Sequence, residues 1–302
     1  MDEAPYTLGR ATRWDRFGSG GAESPRPAPE AAGPRGIDGP DTAAMMPDKQ
    51  VIKLRFEQAA ATYEEQAQVQ LLVADRLLAL LASAVPGADP GRILEIGCCT
   101  GLLTEKIIDR FPQFAQLTVS DLVDAFEQCV GRKAGRLSAR VLFLAGDIET
   151  VELPCRYDLI ISSSTLQWVH DLPRLCRKLA AHLTPDGVLA LALYGRENLR
   201  EIRAVTGLGL RYMDLEQLMA VVGTEFELRA AEQSRETLWF PDPISVLHHL
   251  RATGVNAIGQ QRTWTRRQLN GFLAEYGQRF SGPRGVHLTY HPMYIVARPR
   301  RR

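Results

Sequence analysis

The stretch LEIGCCTG, residues 94–101, decides the fold. It ends a short apolar strand at 92–96 and turns tightly into a helical pattern at 102–111. A strand that passes through a small-residue turn into a helix leaves backbone N–H groups at the helix N-terminus, where a ligand can be held. Glycine suits such a turn because it reaches φ > 0 and lets the main chain approach a ligand. Here Gly97 and Gly101 flank Cys98 and Cys99.

Working outward, short apolar runs alternate with helical patterns. Strands are expected at 92–96, 117–120, 141–145, 157–162 and 188–193, and helices at 102–111, 123–131 and 172–183. This alternation predicts a parallel sheet covered by helices on both faces. Upstream, 51–84 is helical in pattern, and PGADPG (86–91) ends it. The pattern changes at Tyr194. LREIRAVTGLGLRYMDLEQLMAVVG is mainly helical, and FELRAAEQSRETLWF reads as one long strand. Two more helical stretches follow, then GVHLTYHPMYIVARP as a last strand. One domain is expected over 49–302, with helical cap insertions around 195–224 and 242–283.

Residues 1–50 hold 7 of the 18 prolines and 7 of the 25 glycines. Such a composition buries too little apolar surface to offset ordering entropy, so 1–48 is expected to be a disordered extension. It has neither the apolar core of a secretory signal nor the character of a transit peptide. A formal net charge of +1, 45% hydrophobic and 24% charged residues give no global sign of nucleic-acid or membrane binding. No apolar run approaches the roughly 18–20 residues needed to span a bilayer. The five cysteines have no disulfide or metal-ligand spacing, which points to a reducing cytosol and to no metal.

A dinucleotide fingerprint would need glycine at 97, 99 and 102, and only Gly97 fits. A Gly-Lys-Ser/Thr phosphate loop is also missing. Glu95-x-Gly97-x-Cys99-x-Gly101 instead resembles the E-x-G-x-G-x-G turn of class I S-adenosylmethionine-dependent methyltransferases, with Cys99 in place of the central glycine. The resemblance implies a Rossmann-like, mostly parallel seven-stranded sheet with helices on both faces and a helical cap before the last strands. It also implies S-adenosylmethionine as cofactor, Glu95 near its amino group and the turn backbone against it. Asp121, with Leu122 beside it, ends the second strand and would accept from the ribose. GDIE (146–149) would place Asp147 on the adenine amine and Ile148 on the ring. YDLIISSSTLQWV (157–169) resembles the fourth strand and its substrate-side loop, and brings Ser162 into the cofactor set. A negative φ is expected at Cys99, because a β-carbon at φ > 0 costs about 1–2 kcal/mol.

RFEQAAATYEEQA (55–67), LQWVHDLP (166–173), LRATGVNAIG (250–259) and LTYHPMYIVAR (288–298) resemble the malonyl-acyl carrier protein O-methyltransferases of biotin synthesis. This implies methyl transfer to the free carboxylate of a malonyl thioester, carried by acyl carrier protein or coenzyme A. Tyr63, Gln167, Trp168 and Arg251 are the expected substrate-side residues. Phe56 is read as core and His170 as a loop residue, not a base. Arg196, Arg203 and Arg211 are further candidates for the carboxylate, and Arg262, Arg266 and Arg267 for an acidic carrier surface. A cytoplasmic monomer without metal, nucleic acid or membrane is expected. The competing readings are a carboxyl methyltransferase acting on small aconitate-like acids, and a non-catalytic assembly factor that keeps the fold.

Overall fold

The computed structural model describes residues 48–255 and 264–300. The expected disorder of the N-terminal extension, the 256–259 part of LRATGVNAIG, and Arg262 lie outside them.

The helical pattern at 51–84 forms three helices: α1 (Lys49–Ala59), α2 (Tyr63–Gln66) and α3 (Gln68–Ala84). Asp48 caps α1 by accepting from the Gln50 N–H at 2.8 Å. The break has a side-chain cause. The Thr62 hydroxyl bonds Ala59 O and also Ala252 O, both at 3.2 Å, and so anchors the chain to a distant helix where a continuous ladder would run.

The Rossmann-like core follows: β1 (Arg92–Ile96), α4 (Leu102–Arg110), β2 (Gln116–Asp121), α5 (Glu127–Ala134), β3 (Val141–Ala145), β4 (Tyr157–Ser163), α6 (Leu172–Ala181) and β5 (Leu183–Tyr194). α7 (Arg200–Thr206), α8 (Leu215–Gly223), β6 (Phe226–Gln233), β7 (Glu236–Phe240), α9 (Pro243–Ala252), α10 (Arg266–Phe280), β8 (Ser281–Gly282), β9 (Gly285–Tyr290) and β10 (Pro292–Pro299) complete it. The seven-stranded sheet has the order β3-β2-β1-β4-β5-β10-β6, with β1 to β5 parallel and β10 antiparallel to both neighbours. Strand alternation splits the core between two faces. Ile93 and Ile161 pack with Val73 and Leu77 of α3, whereas Leu94 and Ile160 pack with Leu175 and Leu179 of α6. Leu218 and Val222 of α8 join the α6 side, so α8 belongs to the sheet's helical layer.

Two expected long strands are divided. β6 and β10 pair in the large sheet, whereas β7 and β9 pair in a separate three-stranded sheet with β8. The pairing Gln233↔Met293 and the pairing Glu236↔Tyr290 keep one antiparallel register, so the two halves form a single ribbon bent at 234–235 and 291. Pro292 begins β10 and has no N–H for the ladder, which favours a bend there. The bent half of the ribbon, with α7, α9 and α10, covers the C-terminal edge of the large sheet. Among the described residues no helix is long and apolar enough to cross a membrane.

Candidate cofactor cleft and substrate chamber

The chain runs from β1 to β2 and β3 on one side, then to β4 and β5 on the other. Ligands of open α/β sheets bind beyond the strand C-termini at this reversal. The turn after β1 lies there, and three of its residues have positive φ: Gly97 at 76°, Cys99 at 48° and Gly101 at 90°. The negative φ expected at Cys99 is therefore wrong. The reason lies 22 residues away: Asp121 Oδ2 accepts the Cys99 N–H at 2.8 Å, while Oδ1 accepts the Val123 N–H at 2.9 Å. The carboxylate draws the Cys99 amide toward the end of β2 and holds the residue in left-handed geometry. Cys99→Gly should relieve that strain. The expected gain is about 1 kcal/mol, or roughly 2–4 °C in Tm for a domain of this size, with cofactor affinity kept or raised. Thermal melts with and without S-adenosylhomocysteine check this, and a lower Tm would mean that thiol packing outweighs the strain.

The strand ends bring most of the expected cofactor residues together. Gly97, Cys99, Asp121, Leu122, Asp147 and Ile148 all line one cleft of about 940 Å³. Burial pushes the Asp121 carboxyl up to about 6, although the two main-chain N–H bonds oppose the shift. Asp147 Oδ1 accepts from the Glu149 N–H at 3.0 Å and from Lys49 Nζ at 3.3 Å. Lys49 also reaches Glu149 at 2.9 Å, which ties the start of α1 across the cleft mouth.

Glu95, Gly101 and Ser162 do not line the cleft. Ser162 Oγ donates to Ile96 O at 2.9 Å and pins β4 to β1. Glu95 is fully buried behind the turn. Thr104 Oγ1 donates to its Oε2 at 2.6 Å, and Oε1 has no partner. Burial raises its carboxyl to about 8, with the Thr104 hydroxyl opposing and Asp121 adding to the rise.

A second cavity of about 360 Å³ adjoins the cleft. The two share Phe56, Tyr63, Gln70, Ser164 and Trp168, which therefore form the seam between them. Phe56 stands edge-on to Trp168, with ring centroids 6.1 Å apart, and its ring is 6.4 Å from Tyr63. Phe56 thus forms a wall of both cavities and is not simple core. Gln167 lines the chamber, donates to Ser164 O at 2.7 Å and leaves its buried Oε1 without a partner. Among the described residues, no Lys, Arg, Asp or Glu lines the chamber.

Arg251 lies elsewhere. It is exposed on α9 and faces an outer groove with Arg55, Gln58, Thr62 and His248. Arg196 pairs with Asp214 at 3.2 Å on the surface, and Arg211 is exposed. Arg203 stacks over Tyr212, its guanidinium carbon 5.5 Å from the ring centroid. Arg266 and Arg267 are exposed at the start of α10. His170 sits in a loop, where its main-chain N–H donates to Glu149 at 3.0 Å.

A family model described as a methyltransferase domain matches residues 63–277. The malonyl-[acyl-carrier protein] O-methyltransferase of Chlorobium phaeovibrioides is 39% identical over 255 residues, covering 84% of this chain and 97% of that protein. Its counterpart from Bacteroides thetaiotaomicron is 34% identical over 263 residues, covering 84% and 99%. The chain belongs to the malonyl-[acyl-carrier protein] O-methyltransferase family. It is an S-adenosylmethionine-dependent methyltransferase. The fold agrees: the YcgJ protein of Bacillus subtilis superposes with a TM-score of 0.54 at 13% identity, over 76% of this chain and all of that one.

The methyltransferase's cleft suits a cofactor of this kind. Gln70 Oε1, Ser120 Oγ and Ser163 Oγ are buried along it without partners, and buried polar atoms of this kind are normally satisfied. Lys49, Gln70, Tyr194, Asn198, Tyr212 and Tyr290 were not identified as site residues from the sequence. Tyr194 had one usable signal, its place at the C-terminal end of the fifth strand. Asn198 and Tyr212 sit in irregular segments and carried none.

Proposed function

We propose that this protein transfers the methyl group of S-adenosylmethionine to the free carboxylate of malonyl-acyl carrier protein, giving the malonyl methyl ester for biotin synthesis. The observation that carries the reading is the pair of contiguous cavities: a largely apolar cleft that carries Asp121 and Asp147 at the sheet's reversal point adjoins, across an aromatic seam, a chamber that no Lys, Arg, Asp or Glu among the described residues lines. Asp121 would take the ribose hydroxyls. Leu122 and Ile148 would flank the adenine, with Asp147 at its amine. The backbone from Gly97 to Gly101 would face the amino-acid end, with Glu95 and Ser162 supporting that wall from behind. When bound, S-adenosylmethionine would supply a sulfonium methyl carbon open to attack by a carboxylate oxygen, the C–O bond forming as the C–S bond breaks and S-adenosylhomocysteine leaving as the neutral thioether, with no proton transfer.

A malonyl carboxylate is already ionised at neutral pH, so no general base is needed. The chain's task is to align and to exclude water, and such positioning can supply about 7–11 kcal/mol. Phe56, Tyr63, Gln167 and Trp168 wall the seam and chamber for that purpose. The protein is read as a cytoplasmic monomer that meets neither nucleic acid nor membrane. Incubation with S-adenosylmethionine and malonyl-acyl carrier protein should add one methyl by mass. Parallel reactions with malonyl-coenzyme A and free dicarboxylic acids should be slower, and an equal rate on free acids would sink the carrier reading.

Because Arg251 faces the outer groove, it is assigned to the carrier and not to the carboxylate. Arg251→Ala should raise KM for malonyl-carrier protein a few-fold at low salt, leave kcat unchanged, and converge on wild type as salt rises. Steady-state kinetics across a salt series checks this, and a fall in kcat independent of salt would return Arg251 to the pocket.

A further inference from the structure

The chamber presents an anion-recognition problem, because no Lys or Arg among the described residues lines it. Beside Gln70, Gln167 and Thr253, four of its polar groups form two coupled pairs. Ser164 Oγ and Tyr194 Oη lie 3.0 Å apart where β4 and β5 end. Across the chamber, Asn198 Nδ2 donates to Tyr212 Oη at 2.9 Å. An amide nitrogen can only donate, so the Tyr212 oxygen is an acceptor in that bond and its own proton is directed elsewhere. If Ser164 donates within the first pair, Tyr194 stands in the same position. Burial pushes both phenols up, Tyr212 to about 12, so both keep their protons at any working pH. Behind Tyr212, Arg203 donates to Asn198 O at 3.2 Å and covers the ring, so its charge reaches the chamber only through Asn198 and Tyr212.

We propose that the malonyl carboxylate is held by the neutral hydroxyls of Tyr194 and Tyr212, with no direct guanidinium or ammonium contact, and that Arg203 is a positioning residue behind them. The inference rests on the functional reading above. Its physical advantage follows from the reaction. The carboxylate carries a full charge before transfer and loses it as the C–O bond forms. A bidentate arginine would occupy both oxygens and stabilise the charged ground state more than the transition state, which slows transfer. Neutral donors orient the anion with less of that penalty. They also hold the ester product more weakly than the carboxylate, because the product no longer accepts charge-assisted bonds.

The test uses the full-length protein, malonyl-acyl carrier protein and S-adenosylmethionine. Tyr194→Phe and Tyr212→Phe should each lower kcat/KM about 10- to 100-fold, equally at low and high salt. Affinity for S-adenosylhomocysteine by calorimetry should stay within about twofold of wild type. Arg203→Lys should keep more activity than either phenylalanine variant. Should Tyr212→Phe fail to bind S-adenosylhomocysteine, Tyr194→Phe and Ser164→Ala carry the same comparison. Two results would overturn the inference: phenylalanine variants within threefold of wild type, or Arg203→Lys, Arg251→Ala or Arg262→Ala abolishing turnover regardless of salt while cofactor binding persists. A wild type that leaves malonyl-carrier protein unmethylated overturns the functional reading and this inference together. Active wild type with unaffected phenylalanine variants overturns the inference alone.

Discussion

Gly97→Ala should lower Tm by roughly 10 °C and abolish measurable binding of S-adenosylhomocysteine. Gly97 has φ of 76°, and a β-carbon built there would lie 2.0 Å from Thr165 Oγ1 and 2.6 Å from Thr165 Cβ. Left-handed geometry and overpacking together cost about 2–5 kcal/mol. The binding loss has a local cause. Thr165 donates to Gly97 O at 3.2 Å and accepts the Trp168 N–H at 3.0 Å, so a displaced Thr165 disturbs both the turn and the seam. Removing the neighbour separates the two contributions. Gly97→Ala with Thr165→Gly should recover the overlap part of the loss and leave the backbone part, as a double-mutant cycle by melting and calorimetry would read. A single variant with wild-type stability would mean that the turn is not tightly packed on the β4 loop.

The second large effect concerns Glu95. Its folded-state value of about 8 lies above its ordinary 4.5, so the native state retains a proton that the unfolded chain has released. The stabilisation is therefore fully present below about pH 4.5 and is lost progressively until about pH 8, above which the slope vanishes. Asp121, raised from 3.8 to about 6, acts with the same sign over a lower window. Glu95→Gln keeps a neutral group of the same shape that can still accept from Thr104. The variant should match wild type near pH 5 and exceed it by an amount that grows toward pH 8 and then levels off. The difference at pH 9 should be on the order of 3–5 kcal/mol in apo protein. Urea unfolding at pH 5, 6, 7, 8 and 9 checks it, and a difference that shrinks as pH rises would mean that Glu95 is ionised in the native state.

The turn and the strand ends explain why so much of the cofactor cleft was legible. Glu95, Gly97, Gly101, Asp121 and Asp147 sit at the ends of strands whose apolar runs are short and bounded by turn residues. Those runs can be located from local sequence alone. Strands at 92–96 and 141–145 match the structure residue for residue. Asp121, Asp147 and their neighbours then fall at the carboxyl edge because strand order places them there. Glu95 and Ser162 show the limit of that logic. Both are at the right strand ends, yet strand pairing turns their side chains behind the cleft wall.

By itself the sequence determined the parallel core, the position of the ligand turn and the family to which the chain belongs. The first two rest on periodicity, turn composition and motif spacing, and the family on the resemblance of a few short stretches, all of which are local. Tertiary structure decided the rest. The left-handed Cys99 is set by a carboxylate on the neighbouring strand. The break at Thr62 is set by a bond to Ala252, 190 residues on. The bent ribbon, the outward Arg251 and the substrate chamber arise where β4, β5, α1, the loops around α7, and the bent half of the ribbon meet. Contacts between such distant segments leave no period in any one of them, so the substrate side could be drawn only once the chain was folded.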